Sequence, residues 1–419
     1  MKRIAAVILC MLLAFALCAC GDEGSTNTEA KKTEAAGEEA GTVTEENVTA
    51  EPSTADYYMN EDNAKLLGRT YTEGTNLWLT YSGSGVEFTF TGTCCDITFL
   101  GDDNYSSQSA RPRVAVYVNG VRVGDYLIND DLDNYGPERT VNAFTSETEE
   151  TVTVKVVKLS EVSDSSVAIS RVSLTGTAAE PYPTAEKDLK IEFIGDSITC
   201  GYGVDGEYGV DSYCTGNEDC TKAYAIKTAE QLDADYSIVA MSGHGIISGY
   251  TGDPATAQTG SLVPDYYTTM GHSWTTKIDG LRTSEIEWDF SRFTPDVVVI
   301  NLGTNDASYC KAGGDKTANE KKAEFESLYV DFLKVIREKN PDALICCTLG
   351  IMGQDLYSNI ENAAAAYTEE TGDTNIVCYK FAVQDTTKNG LAVDWHPSEA
   401  SHTDAAMAFA EFLTSTLAE

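Results

Sequence analysis

The sequence predicts two folded domains of different class: an amino-terminal all-β domain of the β-sandwich or jelly-roll type, and a carboxy-terminal α/β domain whose parallel sheet is flanked by helices. Two observations indicate this division. Residues 63–178 contain short stretches of alternating apolar and polar side chains, bounded by Gly, Asn and Asp. Residues 189–419 alternate β-branched stretches with stretches of helical period, which is typical of a parallel sheet covered on both faces.

The chain opens with an export signal. Two basic residues follow the initial methionine, and residues 4–17 form an apolar run that is too short to cross a membrane comfortably. Residues 1–19 are therefore predicted to be a signal peptide of the lipoprotein type, because the run ends in Leu-Cys-Ala-Cys-Gly, which resembles the bacterial lipobox. The resemblance implies an exported cell-surface protein, anchored to the bacterial membrane by a lipid on Cys20. The alternative is an ordinary signal peptide, cut after Ala19 without lipidation.

The next segment, residues 20–62, is predicted to be a disordered tether. Residues 21–62 hold twelve acidic side chains against two lysines and almost no large aliphatic ones, so the segment cannot bury enough apolar surface to fold. The whole chain has a formal net charge of −37. That charge excludes nucleic acid and anionic lipid headgroups as partners, since their phosphates repel such a surface.

Four stretches alternate clearly in the β domain, and the second of them ends in Asn119-Gly120, a hairpin signal. The stretches are 86–90, 113–118, 151–157 and 167–174. Three aromatic side chains of this domain have two interpretations, stacking on sugar rings or filling the core of the sandwich, and the core interpretation is favoured for each. These side chains are Tyr71, Trp78 and Tyr81.

A linker over residues 179–188, which contains two prolines, leads into the α/β domain. Ligands of parallel sheets bind beyond the carboxyl ends of the strands, so the functional residues are expected there. The predicted strands are 191–194, 236–240, 296–300, 343–348 and 375–379. The predicted helices are 223–232, 319–339, one between the last two strands, and a terminal helix capped by Ser398.

Nine cysteines remain after the first 20 residues. Cys214 and Cys220 bracket a short loop, which makes them the most plausible pair in an exported protein. The odd number leaves at least one thiol unpaired or bridging two molecules. The alternative is an anaerobic source, in which all nine would remain thiols. Cys346 and Cys347 lie in an apolar run and are predicted to be small core residues. No cysteine spacing indicates a zinc site, and neither a metal nor an organic cofactor is expected.

Four blocks follow strands or precede a helix in the α/β domain, and together they hold the groups that acyl transfer requires. Gly-Asp-Ser places Ser197 at a strand-to-helix turn as the nucleophile, and Asp-Trp-His-Pro supplies His396 as the base. Two further blocks supply the main-chain N–H of Gly243 and the side-chain amide of Asn305 as oxyanion donors. Each block alone is a weak signal, and the ordered set of four carries the prediction. The histidines that compete with His396 are His244, His272 and His402.

This ordered set resembles the four blocks of the SGNH (GDSL-like) hydrolases, over about residues 189–417. The resemblance implies that Ser197 is the nucleophile and His396 the general base. It also implies that the N–H of Ser197 joins Gly243 and Asn305 in the oxyanion hole. His244 is then a neighbour of that hole and faces the substrate.

One position departs from the family pattern. The usual block has an aspartate three residues before the histidine, where this sequence has Val393. Asp394, two residues before His396, is favoured as the third catalytic residue, which orients the imidazole. The alternative is that a backbone carbonyl orients the ring and leaves a serine–histidine dyad.

A narrower resemblance includes the β domain. Trp-Leu-Thr-Tyr-Ser-Gly-Ser-Gly-Val from position 78, Gly-Asp-Ser-Ile-Thr-Cys-Gly-Tyr-Gly from position 195 and the short Asp-x-His spacing resemble carbohydrate esterase family two. This implies a jelly roll fused to an SGNH domain that removes acetyl groups from polysaccharides such as xylan and glucomannan through an acetyl-enzyme. Trp395 then borders the acyl pocket or a sugar subsite, or else its indole packs the loop that carries His396. The alternative functions are a lipid or peptidoglycan acylhydrolase and a non-catalytic, glycan-binding surface lipoprotein.

Overall fold

The computed structural model describes residues 51–128, 136–273, 277–278 and 280–418. The predicted signal peptide, Cys20 and most of the predicted tether lie outside these residues. Within the described part, no helix combines the length and the apolar character that crossing a bilayer demands.

In the described part of the chain, an antiparallel sheet of ten strands forms the amino-terminal domain, as the alternating stretches predict. Its two longest strands, β5 and β8, pair along most of their length, and the register shifts at Gly92–Cys94 and at Cys95–Asp96. Alternate side chains of these strands, among them Phe88 and Phe90, are buried in the domain's own core. The strands are β1 (Ser53–Tyr57), β2 (Lys65–Leu67), β3 (Thr70–Glu73), β4 (Asn76–Leu79), β5 (Gly85–Gly101), β6 (Arg113–Val118), β7 (Val121–Leu127), β8 (Glu138–Lys158), β9 (Val167–Gly176) and β10 (Tyr182–Pro183).

The aromatic side chains singled out in this domain belong to its packed interior. Tyr81 is fully buried, Trp78 is 5% exposed, and Tyr71 is half-buried against the same cluster as Trp78. The core interpretation is therefore correct for Trp78 and Tyr81, whose rings are not accessible to a sugar.

The structure corrects two of the predicted boundaries. Part of the segment assigned to the disordered tether (20–62) is strand β1, which pairs antiparallel with β9. The linker assigned to 179–188 is pinned to the sheet, because β10 pairs with β5 and the hydroxyl of Tyr57 donates to the carbonyl of Ala179 at 2.7 Å. The sequence does not reveal β1, since four of its five side chains are exposed and no apolar alternation marks it.

The α/β domain contains a parallel sheet of five strands in the order β12-β11-β15-β16-β17, with helices on both faces. Successive residues of β15 enter different cores: Val298 and Ile300 pack with α4 and α5, whereas Val297 and Val299 pack with α2 and α7. The strands are β11 (Leu189–Gly195), β12 (Ala234–Ala240), the hairpin β13 (Lys277–Ile278) and β14 (Leu281–Arg282), β15 (Val297–Asn301), β16 (Leu344–Ile351) and β17 (Ile376–Val383). The helices are α1 (Ser197–Cys200), α2 (Tyr224–Gln231), α3 (Asp306–Tyr309), α4 (Ala318–Lys339), α5 (Tyr357–Thr371), α6 (Thr386–Asn389) and α7 (Glu399–Leu417).

A buried ion pair joins the two domains. Arg69, between β2 and β3, contacts Glu192 of β11 with Nη2 and Oε1 3.2 Å apart, and both side chains are almost wholly excluded from solvent. Arg69 also donates to the carbonyl of Thr269 at 2.8 Å, and the hydroxyl of Tyr267 donates to Glu192 at 2.8 Å. The rings around the guanidinium, at 5.2 to 5.7 Å, are those of Tyr81, Tyr267, Trp288 and Phe290.

The nine cysteines of the described chain are free thiols. The pairing expected between Cys214 and Cys220 is therefore not formed, and Cys220 is fully buried as a single side chain. Cys346 and Cys347 are both fully buried in β16, which confirms that they are core residues.

Candidate active site

The predicted nucleophile lies at the turn from β11 into α1. Ser197 is the first residue of α1 and is 8% exposed, and the side chain of Asp196 caps the helix by accepting from the N–H of Ile198 at 3.0 Å. Gly195 is required at the end of the strand, because a Cβ there would lie 2.0 Å from Oγ1 of Thr199. The Gly-Asp-Ser block therefore builds a tight strand-to-helix turn.

His396 is in hydrogen-bond contact with the serine. Its Nε2 lies 2.8 Å from Oγ of Ser197, and its Nδ1 lies 3.1 Å from the carbonyl oxygen of Val393. We assign the neutral tautomer with the proton on Nδ1, because a carbonyl can only accept. In this tautomer Nε2 accepts the serine hydroxyl, which is the arrangement that a general base needs.

The prediction that Asp394 orients the imidazole is wrong. Its carboxylate accepts a hydrogen bond from the hydroxyl of Tyr202 at 3.0 Å, and the main-chain carbonyl of Val393 takes the position beside Nδ1. The backbone explains the difference, since Asp394 and Trp395 both have left-handed conformations, with φ of 50° and 69°. This tight turn brings His396 back to the carbonyl three residues earlier, which leaves a serine–histidine dyad.

Two glycines hold Val393 in place. A Cβ at Gly203 would lie 2.5 Å from Cβ of Val393, and a Cβ at Gly206 would lie 2.4 Å from its Cγ2. Val393 is fully buried, and its N–H donates to the carbonyl of Gly203 at 3.4 Å. The glycines after the nucleophile thus leave the space in which the orienting carbonyl is fixed.

Two stacked tyrosines support the imidazole from one side. The ring of Tyr202 lies 4.3 Å from that of His396, and the ring of Tyr213 stacks on Tyr202 at 3.9 Å. Burial, together with the carboxylate of Asp394, raises the pKa of Tyr202, so its hydroxyl remains a donor. Neither tyrosine is assigned a role from the sequence, although Tyr202 lies in the block that begins at position 195.

The predicted oxyanion donors line the same cleft as Ser197 and His396. The side-chain amide of Asn305 donates to the carbonyl of His244 at 2.8 Å and lies 3.4 Å from Oδ2 of Asp196. Gly243 has a left-handed backbone with φ of 76°. The structure therefore brings Ser197, His396, Gly243 and Asn305 together.

Asp306 supports the oxyanion side and was not assigned a role from the sequence. Its Oδ1 accepts from three successive N–H groups after Gly243, those of Ile246 at 2.8 Å, Ile247 at 2.7 Å and Ser248 at 3.2 Å. Burial raises the pKa of Asp306 to about 6, while these amide donors act in the opposite direction. The carboxylate fixes the loop that follows β12.

The prediction that His244 faces the substrate is wrong. The residue is 2% exposed, Nδ1 lies 3.1 Å from the carbonyl oxygen of Ser242, and the ring packs edge-on to Tyr266. Burial lowers the pKa of His244. Its main-chain carbonyl contributes to the site by positioning Asn305, whereas its side chain fills space behind the cleft.

The cleft has a volume of about 770 Å³ and an aromatic rim. Trp395 lines it and is 63% exposed, with Tyr208 edge-on at 4.8 Å, and Tyr250 lines it with 66% exposure. The sequence left open whether Trp395 borders the pocket or packs its loop, and the structure places it in the lining. Hydroxyl and charged side chains line much of the rest, including Thr304, Ser308, Lys311 and Asp355.

One buried group has the composition of a cation site. Among the described residues, ligand atoms of Glu161, Cys200 and Glu218 lie within 4.8 Å of one another. Lys158 is buried in the same cluster, where burial lowers its pKa to about 8, although the carboxylate of Glu218 raises it in part. Below that pH the ammonium of Lys158 already supplies a positive charge to this group.

Comparisons with known proteins agree with the two-domain division. A family model described as GDSL-like Lipase/Acylhydrolase matches residues 191–409, and one described as Carbohydrate esterase 2 N-terminal matches residues 66–183. The cellulase/esterase CelE of Acetivibrio thermocellus is 32% identical over 366 residues, which are 82% of this chain and 38% of that protein. An acetylxylan esterase/glucomannan deacetylase of Cellvibrio japonicus is 28% identical over 294 residues, which are 68% of this chain and 74% of that protein. The chain therefore spans well under half the length of CelE.

Solved structures share the fold. The acetyl xylan esterase Est2A from Butyrivibrio proteoclasticus has a TM-score of 0.76 at 23% identity, over 88% of this chain and 99% of that one. A family two carbohydrate esterase from Clostridium thermocellum, in complex with cellohexaose, has a TM-score of 0.69 at 28% identity, over 85% of this chain and 99% of that one. These matches confirm the predicted fold class for both domains.

We predict that Asp394→Asn has only a small effect on ester hydrolysis. Asparagine tolerates the left-handed backbone and its Oδ1 still accepts from Tyr202, while the carbonyl of Val393 continues to orient His396. The expected fall in kcat for an aryl acetate is less than about 10-fold, compared with about 10⁴-fold for removing a true orienting aspartate. A fall in kcat of about 10³-fold or more would show that Asp394, and not the carbonyl of Val393, orients His396.

We predict that activity persists into acid. Burial, the largest cause, lowers the pKa of His396 to about 4, although the hydrogen bond to Val393 raises it in part. The general base must be neutral, so kcat/KM is expected to decline as the pH falls through about 4 rather than through the ordinary histidine value of about 6.5. The profile is measured with an aryl acetate, and the acid midpoint of Asp394→Asn should lie no higher than that of the wild type, because the charge of Asp394 raises the pKa of His396. An acid midpoint near 6.5 contradicts the prediction.

Proposed function

We propose that this chain, which belongs to the GDSL-like lipase/acylhydrolase family and carries the amino-terminal domain of carbohydrate esterase family two, is a serine esterase that removes acetyl groups from polysaccharides such as xylan and glucomannan. The single observation that carries the reaction type is the 2.8 Å contact between Nε2 of His396 and Oγ of Ser197, inside an open cleft. The substrate class is supported by the similarity of the chain to an acetylxylan esterase/glucomannan deacetylase and to a carbohydrate esterase in complex with cellohexaose.

In the proposed mechanism, His396 takes the hydroxyl proton of Ser197 as Oγ attacks the acetyl carbonyl carbon. The negative oxygen of the tetrahedral intermediate accepts from the N–H groups of Ser197 and Gly243 and from the amide of Asn305. The C–O bond to the sugar breaks, and His396 returns the proton to the leaving sugar oxygen. Water, deprotonated by His396, then attacks the acetyl-enzyme, and acetate leaves as Ser197 regains its proton.

The shape and lining of the cleft favour a sugar ester over a lipid. Hydroxyl, amide and charged groups line it, and the exposed rings of Trp395 and Tyr250 offer flat apolar surface of the kind on which sugar rings pack. A lipid acylhydrolase would need a continuous apolar groove for the acyl chain, whereas the charged side chains of Lys311 and Asp355 interrupt the apolar surface of this cleft. Peptidoglycan, which is also an acetylated glycan, remains the second candidate substrate on the same grounds.

We propose in addition that the protein is exported and anchored through Cys20. The support is the basic start, the short apolar run and the Leu-Cys-Ala-Cys-Gly sequence at its end. Expression in a bacterial host with a radiolabelled fatty acid should label the wild-type chain in the membrane fraction. The Cys20→Ala variant should lose the label, whereas Cys18→Ala should keep it. A wild-type chain without label contradicts the anchor.

The proposed activity is tested by acetate release from acetylated xylan and acetylated glucomannan. Ser197→Ala should lower the rate by at least about 10³-fold, because the nucleophile is lost. The control is Ser291→Ala, at an exposed serine that does not line the cleft. Release that survives Ser197→Ala contradicts the mechanism. Cleavage of an aryl acetate without acetate release from either polymer would support the esterase activity and contradict the proposed polysaccharide substrates. Peptidoglycan would then be assayed next.

A further inference from the structure

The loop between β8 and β9 enters the α/β domain instead of covering the surface of its own domain. Ser160, Glu161 and Val162 are all at most 2% exposed, although connecting loops normally run over the protein surface. Val162 packs in the α/β domain's core together with Met241, which directly follows β12. A segment of the β domain therefore lies beneath the loop that carries Gly243.

Glu161 makes the contact that matters most for the site. Its Oε2 accepts the N–H of Ser242 at 2.8 Å, one residue before the predicted oxyanion donor Gly243. A buried hydrogen bond of this kind fixes the orientation of a peptide group. The peptide group that contains the N–H of Ser242 immediately precedes the peptide group that contains the N–H of Gly243. The orientation of the first therefore determines where the N–H of Gly243 points.

Glu161 is itself held from both sides. Its own N–H donates to Oε2 of Glu218 at 2.8 Å, and Nζ of Lys158 donates to its carbonyl at 3.1 Å. Its backbone therefore cannot shift without breaking contacts to β8 and to the segment before α2.

The same network reaches the base. The hydroxyl of Tyr213 lies 2.6 Å from Oδ2 of Asp164, in the β8–β9 loop, and 3.1 Å from Oε2 of Glu218. The ring of Tyr213 stacks on Tyr202, which packs against His396. One loop of the β domain thus contacts the oxyanion side directly and the imidazole side through two rings.

We propose that Glu161 is a positioning residue for the oxyanion hole, and that the β domain is thereby part of the catalytic machinery. The carboxylate does not touch substrate and acts through the Ser242–Gly243 main chain. This inference rests on the proposed esterase activity, but it does not depend on which ester is the natural substrate.

The test compares three substitutions at one position in the full-length protein. Glu161→Ala removes the acceptor, Glu161→Asp retracts it by one methylene, and Glu161→Gln keeps an acceptor oxygen at the same reach. Misplacing a reacting or stabilising group by about 1 Å can cost about 100-fold in rate. For an aryl acetate we therefore expect kcat to fall about 10- to 100-fold in Glu161→Ala and less in Glu161→Asp, with KM changed by less than about threefold and substantial rescue in Glu161→Gln.

The matched control is Lys65→Met. It removes a second contact between the domains, Nζ of Lys65 to Asp235 at 3.0 Å, at the opposite end of β12 from Ser242. Its kcat should stay within about twofold of the wild type, and the thermal midpoints of all variants are measured alongside. Equal losses of kcat in Lys65→Met and Glu161→Ala, or an unchanged kcat in Glu161→Ala, overturn the proposal.

A second readout separates this inference from the proposed substrate. Phosphorylation of Ser197 by a dialkyl aryl phosphate, in which Oγ displaces the aryl oxide from phosphorus, passes through a transition state that also places negative oxygen in the oxyanion hole, and mass spectrometry follows it. The labelling rate should fall in the order wild type, Glu161→Gln, Glu161→Asp, Glu161→Ala, and Glu161→Asp alone suffices if Glu161→Ala does not fold. A wild-type protein that is neither labelled nor active on the aryl acetate overturns the proposed function and this inference with it. A protein that cleaves the aryl acetate but not the polysaccharides contradicts only the proposed substrate class and leaves the role of Glu161 standing.

Discussion

The positive charge of Arg69 lies wholly inside the protein, and its pairing with Glu192 governs how the two domains meet. Breaking a buried pair by removing one partner costs about 3–5 kcal/mol, because the remaining charge is left without compensation. Glu192 lies on β11, the strand that ends at the nucleophile turn. The β domain is therefore attached to the strand that carries the reactive serine, and the described chain from residue 51 onward belongs to one compact unit.

Paired charges make this interface specific in a way that apolar packing alone would not. Four further ion pairs between described residues cross it, and a shift of a few ångströms would leave several half-buried charges without partners. The pairs are Lys65–Asp235, Arg113–Asp205, Arg122–Asp219 and Arg292–Glu61. A single relative placement of the domains results, and it allows a loop from one domain to make hydrogen bonds of fixed length with the active-site loop of the other.

Both domains and the four site residues could be predicted from the sequence because each has a local signature. The hydrophobic periodicities that indicate strands and helices involve residues that are close in the sequence. Each of the four site residues also lies in a short block at a strand end or before a helix: Ser197, Gly243, Asn305 and His396. The unpredicted features depend on contacts between distant segments. Strand β1 is visible only through its pairing with β9, and the role of Asp306 only through the amides that it meets. The wrong roles given to Asp394 and His244 have the same origin, because spacing cannot show which way a side chain turns.

The carbonyl of Val393 has a consequence for how such proteins are recognised by comparison. Every amino acid carries that oxygen, so no column of an alignment would display it, and a survey that requires an aspartate three residues before the histidine would count this chain among the inactive relatives. What selection has to preserve is a path of the main chain: two consecutive left-handed residues, and the space beside Gly203 and Gly206 that the side chain of Val393 fills. At this position the function depends on the conformation of the backbone and not on a particular side chain. The residues that indicate this conformation in a sequence are the two glycines that pack against Val393.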